Sequence, residues 1–530
     1  MGMSSGRHDY DWVVVGSGFG GSVAALRLAE KGYRVAVFER GRRYADEDLP
    51  SSASDRRRFI WMPALGLRGI MRNVLFRHVF SSSQTGVGGG SLVYGGVLFR
   101  AQQGFYDDPQ WRGIGDWESD LEPHYRSAEH MLGVSRTPWN SATMELTQQV
   151  AARFGGPGAF APAPVAVFFG EPGVRVRDPY FGGDGPDRTG CTRCGSCMTG
   201  CRVGAANRLT TNYLWFAEKR GAEVIAEREV VDVTPLGSSD GSDGYRVTTR
   251  AQRGVRRERR SVTASGIVFA GGAVGTNELL ADCKHRGSLP HISDRLGSLV
   301  RTNSEAVHTV VLPHDIGTWR DVTASSRVLI DDTTQIELLT YGPGGDFMRL
   351  FFTPNAAAGH GGRSPLRSLI ALARRPRQLL MTLQAGWGQR TLMMLVMQAQ
   401  DNAIRFRAVR RRFGGGFRLV TEIDSRRPAP TYLEVGHRVA AWIAEQTGGV
   451  AESSVFETFG GRPMTAHVLG GAVIGATPET GVVDRELRVF GYQNMLVADA
   501  AAMPANPGVN PALTITALAE HALAQVPPAI

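Results

Sequence analysis

The chain has 530 residues, with 59 Lys and Arg against 50 Asp and Glu and a formal net charge of +9, and that length exceeds one hydrophobic core, so two domains interleaved in sequence are expected. With 42% hydrophobic and 21% charged residues the composition excludes a disordered half. The basic residues fall in short runs such as 56–58 and 256–260 without a helix-turn-helix or RNA-binding signature, which excludes a nucleic-acid partner; no apolar run reaches the ~18 residues of a membrane span, and no secretion signal opens the chain, so a cytoplasmic protein is expected.

Residues 11–16 read as a short buried strand, and Gly16-Ser17-Gly18-Phe19-Gly20-Gly21 then opens a helix with apolar residues Val23, Ala24, Leu26, Leu28 and Ala29. Gly32 ends that helix, and a second strand over 34–38 runs into Glu39. Strand, tight turn, helix, strand and acid form a Rossmann-type dinucleotide entry: Gly16 makes the turn, Gly18 lets backbone approach a pyrophosphate, Gly21 lets the helix lie against the strand, and Glu39 takes the ribose hydroxyls. An acid at this place disfavours a 2′-phosphate and so NADP. The segment 59–80 is apolar with interspersed Arg. Next, Thr85-Gly86-Val87-Gly88-Gly89-Gly90-Ser91-Leu92 is a second glycine run, open enough for backbone to lie against a flat ring system.

Four of the five cysteines follow within eleven residues: Cys191, Cys194, Cys197 and Cys201, spaced C-x₂-C-x₂-C-x₃-C as ferredoxin ligands are, with Arg202 where proline is usual. In two-cluster ferredoxins the fourth cysteine serves the other cluster, so a single cluster here would close on Cys201, hold three irons, or recruit a remote group such as Cys283. A zinc knot and reduced thiols bracing a loop are the alternatives. A cluster beside a redox cofactor would be an electron exit to an external carrier.

Beyond it, an apolar strand over 267–270 leads into Gly271-Gly272-Ala273-Val274-Gly275-Thr276. From about 300 to 455 strands separated by loops are expected, and among them Glu337 stands in the apolar run Gln335-Ile336-Glu337-Leu338-Leu339-Thr340, where a carboxylate is either functional or held in a buried salt bridge. The segment 364–394 mixes Leu, Ile and Met with Arg367, Arg374, Arg375 and Arg377, and with 59–80 it reads as the basic-rimmed mouth of a tunnel resting on an anionic bilayer, or as amphipathic helices packed on the sheet. His308, His314 and His360 are read as structural. A last strand over 495–498 precedes Asp499.

On these motifs, with Gly86 to Gly96, Gly271 to Leu280, and Asp499 through Asn510-Pro511-Ala512-Leu513-Thr514-Ile515, the chain resembles the glucose-methanol-choline oxidoreductases, and within them the cholesterol oxidases that hold FAD without a covalent bond. The resemblance implies an α/β fold, an FAD-binding domain over 8–45, 80–110, 190–300 and 455–525, and an interleaved α+β substrate domain over 46–79, 111–189 and 301–454. It implies that the flavin lies near Gly90, Ser91, Tyr94 and Gly95, its adenine beside the backbone of Val230, and the ribityl phosphate near Asp499. His467, in Met464-Thr465-Ala466-His467, would face flavin N5 and accept or position the substrate's hydroxyl proton, with Asn510 bonding the same oxygen; Glu337 would move a proton in double-bond isomerisation. Two departures stand out: Tyr94 replaces an Asn of other cholesterol oxidases, and the cysteine run matches an actinobacterial subgroup. The implied reaction is oxidation of a secondary alcohol on a bulky hydrophobic molecule, a sterol 3β-hydroxyl above others, with O2 or an external carrier as acceptor. The alternatives are an FAD/Fe-S dehydrogenase of a terpenoid or polyketide alcohol, a flavin electron-transfer protein, and a non-redox lyase or isomerase that keeps FAD as scaffold.

Overall fold

The computed structural model describes residues 8–252, 258–355, 370, 373–412 and 416–529. Its first layer grows from the glycine-rich entry. Strand β1 (Tyr10–Val15) feeds helix α1 (Phe19–Glu30), which returns to β2 (Val35–Phe38). The helix buries Val23, Ala24, Leu26, Leu28 and Ala29 against the sheet. β3 (Glu223–Ile225), β4 (Arg228–Pro235), β5 (Tyr245–Ala251) and β6 (Arg259–Phe269) complete the order β3-β2-β1-β6-β5-β4. β1, β2 and β3 run parallel and β4 and β5 antiparallel, while the strand Met495–Val497 lies parallel to the second half of β6. Parallel strands buried on both faces are near-continuous apolar runs, as residues 12–15 of β1 and 267–269 of β6 are. Helix α2 (Gly272–Arg286) leaves the tip of β6.

The second layer is a seven-stranded antiparallel sheet. Its strands β7 (Ala306–Val311), β8 (Ala324–Leu329), β9 (Thr334–Thr340) and β10 (Thr391–Gln398) are joined by β11 (Val450–Ser454) in the order β11-β7-β10-β9-β8, with edges at Phe352–Pro354 and Phe160–Pro162. Helix α3 (Glu434–Thr447) crosses its back before β11, and the short α4 (Val455–Gly460) follows. Alternation along β7 divides the faces. Ala306 and Val310 join Val439, Ala440 and Ile443 of α3 in one core, and Val307 and Val311 join Phe99, Val509 and Met393 in another that faces the nucleotide layer.

Three expectations change. The helix Trp117–Met131, assigned by sequence to a substrate region, buries Trp117, Leu121 and Tyr125 in the core of the nucleotide layer, where the Tyr125 hydroxyl meets Thr514 Oγ1 at 2.9 Å. The segment 59–80 is a set of short antiparallel strands rather than an amphipathic helix. Of the expected lid, 364–369 and 371–372 (with Arg367) lie outside the described residues, as does His360; Pro376–Leu383 is a helix exposing Leu380 and Leu383, and from Trp387 onward the chain is core. Among the described residues no helix is long and apolar enough to cross a membrane.

Candidate active site

The two glycine runs fold onto each other. Gly16 has φ +99°, and a Cβ there would stand 2.4 Å from the Ala270 carbonyl oxygen, while one on Gly21 would stand 2.1 Å from that of Gly16. At Gly18 a Cβ would meet nothing within 4 Å: the α1 N-terminus opens onto free space, the cradle a pyrophosphate needs. Gly89 closes on this turn, its Cβ position 2.7 Å from the Gly18 Cα. Buried Glu39 ties the runs together, accepting from the Ser17 N–H (3.2 Å), the Ser17 hydroxyl (2.9 Å), the Gly41 N–H (2.8 Å) and the Gly86 N–H (3.3 Å).

In the second run the Ser91 hydroxyl donates to the Gly88 carbonyl at 2.7 Å and accepts from the Leu209 N–H at 3.0 Å, so it braces the turn. Tyr94 packs edge-on to Phe19 and donates to the Asn207 carbonyl at 3.2 Å; burial pushes its phenol well up. Gly90 and Gly95 leave the run thin, and Gly95, at φ +71°, faces Met198 of the cysteine loop. Val230 lies at a register shift in β4. Asp499 accepts from the Gly272 N–H (2.7 Å), the Thr276 hydroxyl (2.6 Å) and the Ala501 N–H (2.7 Å), and burial pushes it up to about 6 despite these bonds. It thereby fixes the α2 N-terminus beside the first turn. Open space at Gly18, a buried acid at the β2 tip and a glycine-rich second run fit FAD.

The catalytic residues named from sequence converge where the two layers meet. Glu337, fully buried on β9, accepts from the Gln335 amide at 2.7 Å and from the Asn510 amide at 3.3 Å. It has no ion-pair partner within 4.0 Å among the described residues, so the buried salt bridge is not what holds it. Burial pushes its carboxyl up to about 7, opposed by the Asn510 bond and the nearby His467. Asn510 keeps its buried Oδ1 free of any partner. His467 follows the strand Met464–Thr465, with its Nδ1 2.7 Å from Glu305 Oε2. Burial pulls the imidazole down, but Glu305 and then Glu337 outweigh it, and its pKa is raised.

Glu305 is a residue that sequence reasoning missed. It accepts from the Thr465 hydroxyl (2.9 Å) and the Ala466 N–H (3.1 Å). The same turn, with Asn303 and Ser304 at φ +57° and +42°, also holds the other half of the site: Asn303 donates to the Val509 carbonyl (3.0 Å) and accepts from the Gly508 N–H (3.0 Å). A left-handed backbone at two consecutive non-glycine residues is costly and persists where surrounding bonds over-determine it. In sequence, Thr302-Asn303-Ser304-Glu305 between apolar strands reads as a solvated turn; the signal available was only its polarity.

Cys191, Cys194, Cys197 and Cys201 are free thiols lining one small cavity with Val167, Val203, Ala205 and Asp321. The Ala206 N–H donates to Cys201 Sγ at 3.4 Å. Burial pushes Cys191 up to about 11 and Cys197 up to about 12. Cys283 is not part of this group: it sits in the nucleotide-layer core, its thiol 3.5 Å from Asp232 Oδ1.

Residues 14–45 match the NAD(P)-binding Rossmann-like domain and residues 438–519 the GMC oxidoreductase family. The chain is 43% identical to a cholesterol oxidase of Mycobacterium tuberculosis over 97% of its own length and 91% of the relative's. It is 40% identical to a cholesterol oxidase of Acinetobacter baumannii over 99% and 96%. Among solved structures, a pyridoxine 4-oxidase from Mesorbium loti superposes with a TM-score of 0.62 at 16% identity, covering 97% of this chain and 98% of that one, and a fungal aryl-alcohol oxidase with 0.59 at 14%, covering 98% of each. Whole-length identity at this level, on a fold whose glycine runs and C-terminal segment form one cradle, makes the chain a member of the GMC family of FAD-dependent alcohol oxidoreductases.

Proposed function

We propose that the chain oxidises the 3β-hydroxyl of a sterol, with O2 as acceptor, and that His467, Asn510 and Glu337 carry the chemistry. The observation that supports this is the meeting of two pairs, His467 with Glu305 and Asn510 with Glu337, on an apolar sheet face. Gly16, Gly18, Gly21, Glu39, the run Gly90, Ser91, Tyr94 and Gly95, the Val230 backbone and Asp499 would hold FAD, which when bound would supply the hydride acceptor. His467 takes the hydroxyl proton, and Glu305 stabilises the imidazolium that results. The Asn510 amide, which gives one N–H to Glu337, has a second N–H to donate to the same oxygen, and this orients the carbinol for hydride loss. Glu337, half protonated near neutral pH, moves a proton from the carbon between the new ketone and the double bond to the far end of that double bond. The two 40–43% identical relatives named cholesterol oxidase support the sterol; the apolar sheet face of Val307, Leu339, Met393 and Leu395 supports a bulky hydrocarbon. The experiment is anaerobic addition of a 3β-hydroxysteroid: bleaching of the flavin bands and recovery in oxygen support an oxidase, and a flavin that stays yellow with steroid but bleaches with terpenoid alcohols overturns the sterol assignment.

A second reading, electron exit through an iron-sulfur cluster at the four cysteines, is favoured by where they lie. Met198 of their loop is 3.8 Å from the Gly95 Cβ position, and Cys197 is close enough to Tyr94 to raise its phenol electrostatically. Buried thiols at about 11 and 12 are inert unless a metal takes their protons. Iron and sulfide in anaerobically purified protein, lost in Cys197→Ser, would carry this reading; flavin bands alone would reduce the cysteines to a loop brace. Exposed Met62, Leu65, Leu350, Leu380 and Leu383 support peripheral contact with an anionic bilayer, tested by sedimentation with anionic and neutral vesicles.

A further inference from the structure

Among the described residues, one set of three metal-ligating side chains brings its ligand atoms within 4.8 Å of one another, and it is neither the cysteine run nor the catalytic site: His308, His437 and Glu457. His308 stands on β7, His437 on α3 and Glu457 on α4. Strand alternation sends His308 to the face of β7 that α3 covers, away from Val307 and Val311 on the face toward the nucleotide layer. The imidazoles meet edge to face with centroids 4.4 Å apart, and His437 Nε2 lies 2.9 Å from Glu457 Oε1.

Two features separate this group from a pair of packed histidines. His308 is 0% exposed and neither of its ring nitrogens has a hydrogen-bond partner; Nδ1 of His437 is also buried and unpaired. Buried polar atoms are almost always satisfied, and each exception calls for a cause such as an ion. Space is also reserved for the rings. A Cβ on Gly436, in the first turn of α3, would stand 2.5 Å from His308 Nε2, so any other residue there would press on the imidazole. Tyr432 stacks on His437 at 4.3 Å and 18°, setting that ring's plane.

We propose that His308, His437 and Glu457 bind one divalent transition metal of the zinc class in a structural site behind the substrate sheet. Two imidazoles and one carboxylate are a recurrent three-residue zinc donor set, with water in the fourth position. With metal–ligand bonds of ~2.0–2.2 Å, the donor atoms around one tetrahedral ion lie ~3.4 Å apart, so atoms already within 4.8 Å close on an ion by small side-chain movements. The ion would fasten α3 and α4 to β7, the strand that Glu305 immediately precedes. It is separate from the flavin and from the cysteines, and its role does not depend on which alcohol is oxidised.

The test uses the full-length flavoprotein after chelation and desalting, with Zn2+ or Co2+ as probe. One equivalent is expected to bind and to raise Tm, and the cobalt form is expected to show visible d–d bands without thiolate-to-metal charge transfer. His437→Gln and Glu457→Gln should each weaken binding at least tenfold and abolish the rise in Tm while retaining the flavin spectrum, and a Cys191→Ser, Cys197→Ser double variant should bind as wild type does. Absence of binding, thiolate charge transfer in the wild-type cobalt spectrum, or unchanged affinity in both the His437 and the Glu457 variants would overturn the proposal. The wild-type cobalt spectrum decides between the two donor sets even if a variant fails to fold.

Discussion

His467 and Glu305 are in contact, Nδ1 to Oε2 at 2.7 Å, with the carboxylate 2% exposed. The charge outweighs burial and raises the imidazole above its ordinary 6.5. Only the neutral ring can take the substrate proton, so kcat/KM should fall with decreasing pH through a limb above 6.5. Glu305→Gln leaves burial as the dominant influence, and the limb should move to lower pH while the maximal rate drops ~10–100-fold, because a weaker base drives transfer less. A pH profile of flavin reduction measures both; a limb that stays in place assigns it to another group.

Asn510 has a second amide N–H, beyond the one given to Glu337, to offer the reacting hydroxyl oxygen. Asn510→Ala removes the group that aims the carbinol hydrogen and should slow flavin reduction ~100-fold, a typical cost for one positioned polar group, with flavin content unchanged. Stopped-flow reduction at saturating substrate is the measurement.

Glu337 titrates near 7 in the folded protein against an ordinary 4.5, raised by burial. A group whose folded pKa is raised stabilises the fold below its unfolded pKa and loses that contribution as pH climbs through the folded value. Wild type should therefore lose about 2–3 kcal/mol relative to Glu337→Gln between pH 5 and pH 8, seen in denaturation midpoints of the flavoprotein. The same variant should oxidise a 3β-hydroxysteroid and release the unisomerised ketone.

Gly20 packs where the first helix passes the strand Met495–Val497: a Cβ there would lie 1.5 Å from the Ala498 carbonyl oxygen. Neither backbone can yield, so Gly20→Ala should cost about 3 kcal/mol and leave protein with little bound flavin. The absorbance ratio of flavin to protein after gel filtration checks this.

The first glycine turn was legible because the strand before it, the G-x-G-x-x-G spacing and the strand ending in Glu39 all lie within thirty residues of sequence, although the backbones that Gly16 and Gly20 fit, at Ala270 and Ala498, lie far along the chain. His467, Asn510 and Glu337 were named through resemblance, and the fold brings them together. What sequence could not reveal is what holds them: Glu305 and Asn303 sit in a polar turn that becomes buried only when residues 465–466 and 508–509 close over it, contacts more than 150 residues away along the chain. Cys283 was offered as a remote partner for the cysteine run, and only packing shows that it belongs to another core. The helix Trp117–Met131 was misplaced for a similar reason, since its apolar stripe says that it packs and not on what. His308 looked like any core histidine until its empty ring nitrogens and the neighbouring Gly436 were seen together.

The pairing of β6 with the strand Met495–Val497, sealed by Asp499 on the α2 N-terminus, governs how the protein is made. Synthesis at ~5–20 residues per second leaves a delay on the order of a minute between the emergence of β2 and of Asp499. Throughout that interval the growing chain carries a phosphate-binding turn with an unfinished sheet, unable to grip its cofactor. Flavin capture is thus a closing event in maturation, and until Met495–Val497 emerges the second half of β6 stands as an uncovered strand edge that invites aggregation.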